Sequence, residues 1–171
     1  MPVASEAGSW PVMEGGVVSA EPLVKALLDA YPDHQLLLTH MTATGRATGK
    51  ALFGSEPRVL QAWLPYDTLS MARRFLRHFR PRIGLLMETE VWPNLVFQSA
   101  QADVPLALVN ARLSEKSLRS ALRWASLMQP SYAGLTAVWA QTEADAQRLR
   151  ALGARVQAVT GNLKFDAQPD A

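Results

Sequence analysis

The run Ile83-Gly84-Leu85-Leu86-Met87 constrains this chain more than any other feature. It is apolar throughout and closed by charge at both ends, Arg82 before it and Glu88 after it. A strand with one wet face alternates apolar and polar residues. A continuous apolar run suits a strand buried on both faces, as in a parallel sheet covered by helices. Pro105 to Val109, Ala137 to Ala140 and Val156 to Thr160 have the same character, and Gln35 to Thr39 and Val59 to Leu64 are shorter relatives. Between these runs lie helical patterns at 20–31, 67–80, 91–102, 114–128 and 142–152. The spacing predicts a stripe of Leu23, Val24, Leu27 and Leu28 on the first helix. On the second it predicts Met71, Phe75, Leu76 and Phe79, with Asp67 as the cap. Ser114 reads as an N-cap and Gly153 as a helix stop. Repeated β-α alternation of this kind predicts an α/β fold built on a doubly wound, mainly parallel sheet. The segment 1–16 reads as irregular, with no convincing first strand in Ser9 to Val12.

Composition narrows the chemistry. At 49% hydrophobic and 19% charged, the 171-residue chain is too apolar to stay disordered. It has no cysteine, which excludes disulfides, a thiol nucleophile and a thiolate zinc site. His34, His40 and His78 are far apart in sequence, so no metal site is expected, and no cofactor is implied. The net charge of +2 favours anionic partners only mildly, and no nucleic-acid partner is expected. No window reaches the ~18 apolar residues of a membrane span. The first nine residues carry no secretory signal pattern, so the expected location is the cytoplasm.

Ligands of open parallel sheets bind where strands end and helices begin. Four such places here carry compact polar clusters: His40 to Gly45, Glu88 to Asn94, Asn110 to Ser114, and Gly161 to Asp166. Thr44 and Gly45 read either as ligand contacts or as helix capping, and the Gly49-Lys50-Ala51 stretch is not a phosphate-binding P-loop. Asn110 and Ser114 read as site residues or as groups that satisfy a turn. Glu88, placed at the rim of the low-dielectric core, suits acid-base or electrostatic work, against the alternative of an acid drawn to a helix N-terminus. Glu90 fits the helix-dipole account better. Lys164 is either a phosphate ligand or a surface lysine. Arg73, Arg74, Arg77 and Arg80 form a face opposite the apolar stripe. It is a solvated face or a contact for anionic headgroups, and His78 reads as a surface residue beside it.

Five segments resemble one family: AEPLVKALLDAYP at 20–32, THMTATG at 39–45, METEVWPN at 87–94, VNARLSEKS at 109–117 and GNLKFD at 161–166. They are similar to the N-terminal half of the 3-deoxy-D-manno-octulosonic acid (Kdo) transferases of lipopolysaccharide synthesis. The resemblance implies one Rossmann-like half of a B-type two-domain glycosyltransferase, with 17–166 as the acceptor-side domain and 167–171 as the start of a linker. It implies inverting, metal-independent transfer of Kdo from CMP-Kdo, held by a C-terminal domain, to a lipid A precursor at the cytoplasmic face of the inner membrane. By the same resemblance Glu88 and Lys164 are catalytic. Thr44, Gly45, Asn94, Asn110, Arg112 and Ser114 are substrate-binding.

The sequence departs from that pattern at one decisive place. The family's general base is the glutamate of a Ser-x-Gly-Glu motif, and alignment back from Ala20-Glu21-Pro22 puts Gly16 there. Glu14 lies two residues early, about 6.6 Å along an extended segment and beyond proton-transfer reach of the same hydroxyl. With no donor half in the sequence, no Kdo transfer is expected from the chain alone. The rival readings are a non-catalytic module that binds lipid A or a protein partner, and a degenerate gene product.

Overall fold

The computed structural model describes residues 17–163 in full and the backbone of residues 9–14. The elements run β1 (Ser9–Glu14), α1 (Val17–Ala30), β2 (Gln35–His40), α2 (Ala43–Phe53), β3 (Val59–Trp63), α3 (Leu69–Phe79) and β4 (Gly84–Met87). They continue with α4 (Pro93–Gln101), β5 (Leu106–Ala111), α5 (Glu115–Arg123), α6 (Ala125–Ala133), β6 (Ala137–Ala140), α7 (Glu143–Ala151) and β7 (Val156–Val159). All seven strands join one parallel sheet in the order β3-β2-β1-β4-β5-β6-β7. The expected doubly wound α/β architecture is therefore the observed one.

Strand residues alternate between two cores. Leu36, Leu38, Leu85, Met87 and Ala107 pack with Val24 and Leu28 of α1 on one face of the sheet. Leu37, Leu86, Leu106 and Leu108 point the other way, against Phe75 and Leu76 of α3, Leu95 of α4 and Leu149 of α7. The period of two in a strand produces this division, and both sides are apolar because helices cover both faces.

Several local expectations need correction. Ser9–Glu14 is a strand, and an interior one, pairing with β2 on one side and β4 on the other. Its sequence, Ser-Trp-Pro-Val-Met-Glu, does not advertise this because Pro11 breaks the run, and the pairing with β2 shifts register there, between Trp10 and Val12. The first helix starts at Val17, a turn earlier than expected, with Pro22 inside it. Thr68, not Asp67, caps α3, its hydroxyl accepting from the Met71 N–H. The helix is rotated accordingly: Ala72 is buried with Phe75 and Leu76, and Met71 is exposed. The pattern at 114–128 is two helices that break at Trp124, and the second carries Tyr132 onto the core. Ser114 does cap α5, and Gly153, at φ +89°, does end α7.

Candidate functional site

Strand order reverses between β1 and β4, so the crevice at their carboxyl ends is the switch point of this sheet. Glu14 ends β1 in register with Leu86, and Glu88 follows β4 directly. Residues 15 and 16, and with them the expected position of the base, lie outside the described residues.

Glu88 leaves the strand in the left-handed region, at φ +56°. A side chain there crowds the following carbonyl, so the position is strained unless its surroundings fix it. They do: the Glu88 N–H donates to the Val109 carbonyl at 3.0 Å, and the Glu88 carbonyl accepts from the Arg112 N–H at 3.2 Å. Its carboxylate meets Arg112 Nη2 at 3.0 Å, and the carboxylate side chain is only 14% exposed against 57% for the arginine. Helix α4 begins five residues on, at Pro93, with no acidic residue in its first turn, so the dipole account fits neither Glu88 nor Glu90. Burial raises the Glu90 carboxyl above the usual carboxylate range, and the Glu88 charge adds to it.

Asn110, next to last in β5, is also left-handed at φ +52° and is fully buried. Its carbonyl accepts from Gln141 Nε2 at 2.9 Å and its Oδ1 accepts from the Leu163 N–H at 3.2 Å. Asn110 thus holds the residue before Lys164, which itself lies outside the described residues. Its Nδ2 is buried without a partner.

The remaining expected site residues are placed less directly. Asn94 opens α4 with its amide bonded to the Asp67 carbonyl at 2.7 Å, while the Asp67 carboxylate accepts from the N–H groups of Asn94 and Leu95. Asp67 therefore caps α4 rather than α3. Ser114 is exposed and occupied in capping, its hydroxyl accepting from the Ser117 N–H at 3.1 Å. Thr44 and Gly45 lie in the first turn of α2, over the end of β2, where Thr42 is the cap. Glu88, Asn110 and Arg112 thus come together, whereas Thr44 and Gly45 lie across β1 from them.

Two features escaped the sequence reading. One is Asp145, nearly buried, which accepts from the Leu113 N–H at 2.9 Å while Arg148 Nε donates to the Leu113 carbonyl. A Thr142-x-x-Asp145 capping pattern at the start of α7 was the available signal. The other is a cleft of about 480 Å³ lined by Thr89, Leu113, Ser117, Trp124 and Tyr132, which opens beside the Glu88 turn. Among the described residues no three His, Asp or Glu side chains gather as a metal site.

Comparison with known proteins identifies the family and the fold. Residues 12–167 match the family model described as 3-deoxy-D-manno-octulosonic-acid transferase. A transferase of that name from Bordetella pertussis is 48% identical over 99% of this chain, which covers 40% of the relative. One from Haemophilus influenzae is 33% identical over 89% of the chain, covering 36% of the relative. The chain thus spans well under half the length of these curated relatives. Among solved structures, a UDP-GlcNAc 2-epimerase from Neisseria meningitidis superposes with a TM-score of 0.65 at 15% identity, over 94% of this chain and 48% of the epimerase. That likeness shows the fold alone: one Rossmann-like half of the B-type glycosyltransferase architecture. With most of its length matched by the family model, this chain belongs to the Kdo transferase family.

Proposed function

We propose that this chain forms the acceptor-side half of an inverting, metal-independent glycosyltransferase that moves Kdo from CMP-Kdo to a lipid A precursor. The observation that carries the reading is Glu88: a largely buried carboxylate, fixed by backbone bonds and Arg112, in a strained conformation at the switch point. Strain of this kind persists where geometry at a site matters more than stability. In this reading Glu88 stabilises positive charge that develops at the transferred sugar, and Lys164 offsets charge on the departing phosphate. Asn110 contributes by fixing the chain at Leu163. Asn94, Arg112, Ser114, Thr44 and Gly45 line the acceptor side.

No helix among the described residues is long and apolar enough to cross a membrane. We further propose that contact through a surface patch contributes to action at the cytoplasmic face of the inner membrane. Exposed Phe97, Trp124 and Leu127, with the exposed Arg73, Arg74 and Arg77 of α3, support such contact.

The test joins residues 1–166 to the donor half of the Bordetella pertussis relative and measures Kdo transfer from CMP-Kdo to a lipid A precursor. Because Gly16 stands where the family places its base, Gly16→Glu is expected to raise transfer by at least tenfold. Glu88→Gln in that background is expected to remove it by about a hundredfold or more. Transfer that ignores Glu88→Gln would overturn the reading.

A further inference from the structure

His40 ends β2 and is almost entirely buried, at 3% exposure. The Gln61 amide lies against it. With its NH2 toward His40 Nε2 (2.8 Å) and the Arg46 carbonyl (3.2 Å), and its oxygen toward the Lys50 N–H (3.3 Å), every Gln61 group is satisfied. That orientation makes Nε2 an acceptor, so the neutral ring carries its proton on Nδ1. Nδ1 is buried and has no partner. It lies under the first turn of α2, 3.8 Å from where a Cβ would stand at Gly45.

That helix start carries a cation and no acid. No acidic residue occupies the first turn of the eleven-residue α2, although the dipole favours one there. Arg46 stands there instead, its guanidinium 5.0 Å from the centroid of the Trp63 ring at the end of β3. A cation at this end of a helix is unfavourable unless an anion joins it. The Thr42 hydroxyl accepts from the Gly45 N–H and retains its own proton to donate. An orphaned ring N–H, a hydroxyl, the first N–H groups of a helix and an arginine therefore gather at one helix start.

We propose that the first turn of α2, with His40 Nδ1–H below it and Arg46 beside it, is a binding site for a phosphoryl group. Tetrahedral phosphate oxygens use several converging donors at once, and the helix terminus favours their charge. The site lies one strand from the switch point, so a phosphate held here can orient the molecule that carries it toward Glu88. Naming that carrier as the sugar acceptor rests on the transferase reading; the phosphate site itself does not.

The test uses the chain itself, with no donor and no transfer assay. Inorganic phosphate is titrated while amide resonances of Thr44 and Gly45 and the His40 ring resonances are followed. Saturable shifts confined to this turn are expected, at least fivefold weaker in Arg46→Ala and in Gly45→Ala. Gly45 lies outside the left-handed region, so alanine there keeps the fold, and its Cβ, 3.1 Å from Thr42 Oγ1 and 3.8 Å from His40 Nδ1, crowds the cap hydroxyl and the ring. Arg73→Ala with Arg77→Ala should leave the shifts unchanged. Tighter binding of glucosamine 1-phosphate than of inorganic phosphate supports a sugar-borne phosphate, and equal affinity supports free phosphate as the ligand. Shifts that are absent, that centre on α3, or that survive both Arg46→Ala and Gly45→Ala overturn the proposal. A chimera that fails to transfer Kdo leaves this result untouched.

Discussion

Asp145 of α7 holds the backbone N–H of Leu113, 32 residues earlier, with a carboxylate oxygen at 2.9 Å. The same oxygen meets Arg148 Nη2 at 3.1 Å, and Arg148 Nε donates to the Leu113 carbonyl. One residue is thus gripped by both of its backbone polar groups. The residue before it, Arg112, is the partner of Glu88. The grip therefore fixes the direction in which the strand-end loop leaves β5.

Burial opposes the Asp145 charge, but bonds from the Thr142 hydroxyl, the Leu113 N–H and Arg148 outweigh it and hold the carboxyl below the usual range. A carboxyl with a depressed folded pKa contributes stability above its unfolded pKa and loses it as pH falls through the folded value. Urea midpoints measured from pH 7 to pH 3 should therefore fall steeply below about pH 4. Asp145→Asn should be less stable at pH 7 by about 2 kcal/mol and should show a shallower acid limb. An unchanged limb in the variant would mean that other carboxylates dominate acid unfolding.

Glu88 separates stability from function. Glycine at φ +56° relieves left-handed strain, so Glu88→Gly should hold or raise the unfolding free energy, by up to about 1 kcal/mol. In the chimeric transferase the same change should abolish transfer. A Glu88→Gly protein that is both clearly less stable and still active would assign Glu88 a structural role only.

For His40, burial holds the imidazole below its ordinary pKa, with the Arg46 charge adding to the effect. The unfolded chain then binds a proton that the folded one refuses, so stability is full above about pH 6.5 and declines as pH falls below it. Thermal scans between pH 7.5 and pH 5 should show this decline. His40→Asn, which removes the titrating group, should flatten that part of the profile whatever its effect at pH 7.5. A profile with the same slope in both proteins would place the titration elsewhere.

Gly84 is required by close packing. A Cβ there would lie 2.3 Å from Leu106 Cδ1 on the adjacent strand, although the backbone at Gly84 is ordinary. Gly84→Ala should cost about 1–3 kcal/mol by overpacking. Because the strain falls on one neighbour, the cost should shrink in a Leu106→Ala background, and a double-mutant cycle reads the difference. Additive losses would show that the strand backbone, not the leucine, absorbs the clash.

Where one physical signal dominated, the sequence was readable. The apolar runs of β4, β5 and β6 and the Ser114 cap were legible because burial on two faces and a capping hydroxyl leave little choice of residue. Glu88 was legible because a charge ends an apolar run. The edges of helices were not, because competing caps stand side by side: Asp67 and Thr68 are both good N-caps, and tertiary contact sends Asp67 to the start of α4. Asn110 was read as a site residue or a turn group; that its Oδ1 holds the Leu163 backbone, a pairing 53 residues apart, is something no local pattern encodes. The Nδ1 of His40 was invisible for the same reason, since Gln61 supplies its context from another strand.

The place of β1 sets the order of events when the chain folds. Its Met13 pairs with Leu38 on one side and with Leu85 on the other. The contact with β2 closes a short loop; the contact with β4 must wait until three helices and two more strands have been made. Loop closure over that distance carries a larger entropic cost and slows the step. The β1–β4 junction is therefore expected to form late in folding, and the switch point is assembled across that junction. A chain still emerging from the ribosome can own β2 and β3, with their helices, well before it owns a crevice.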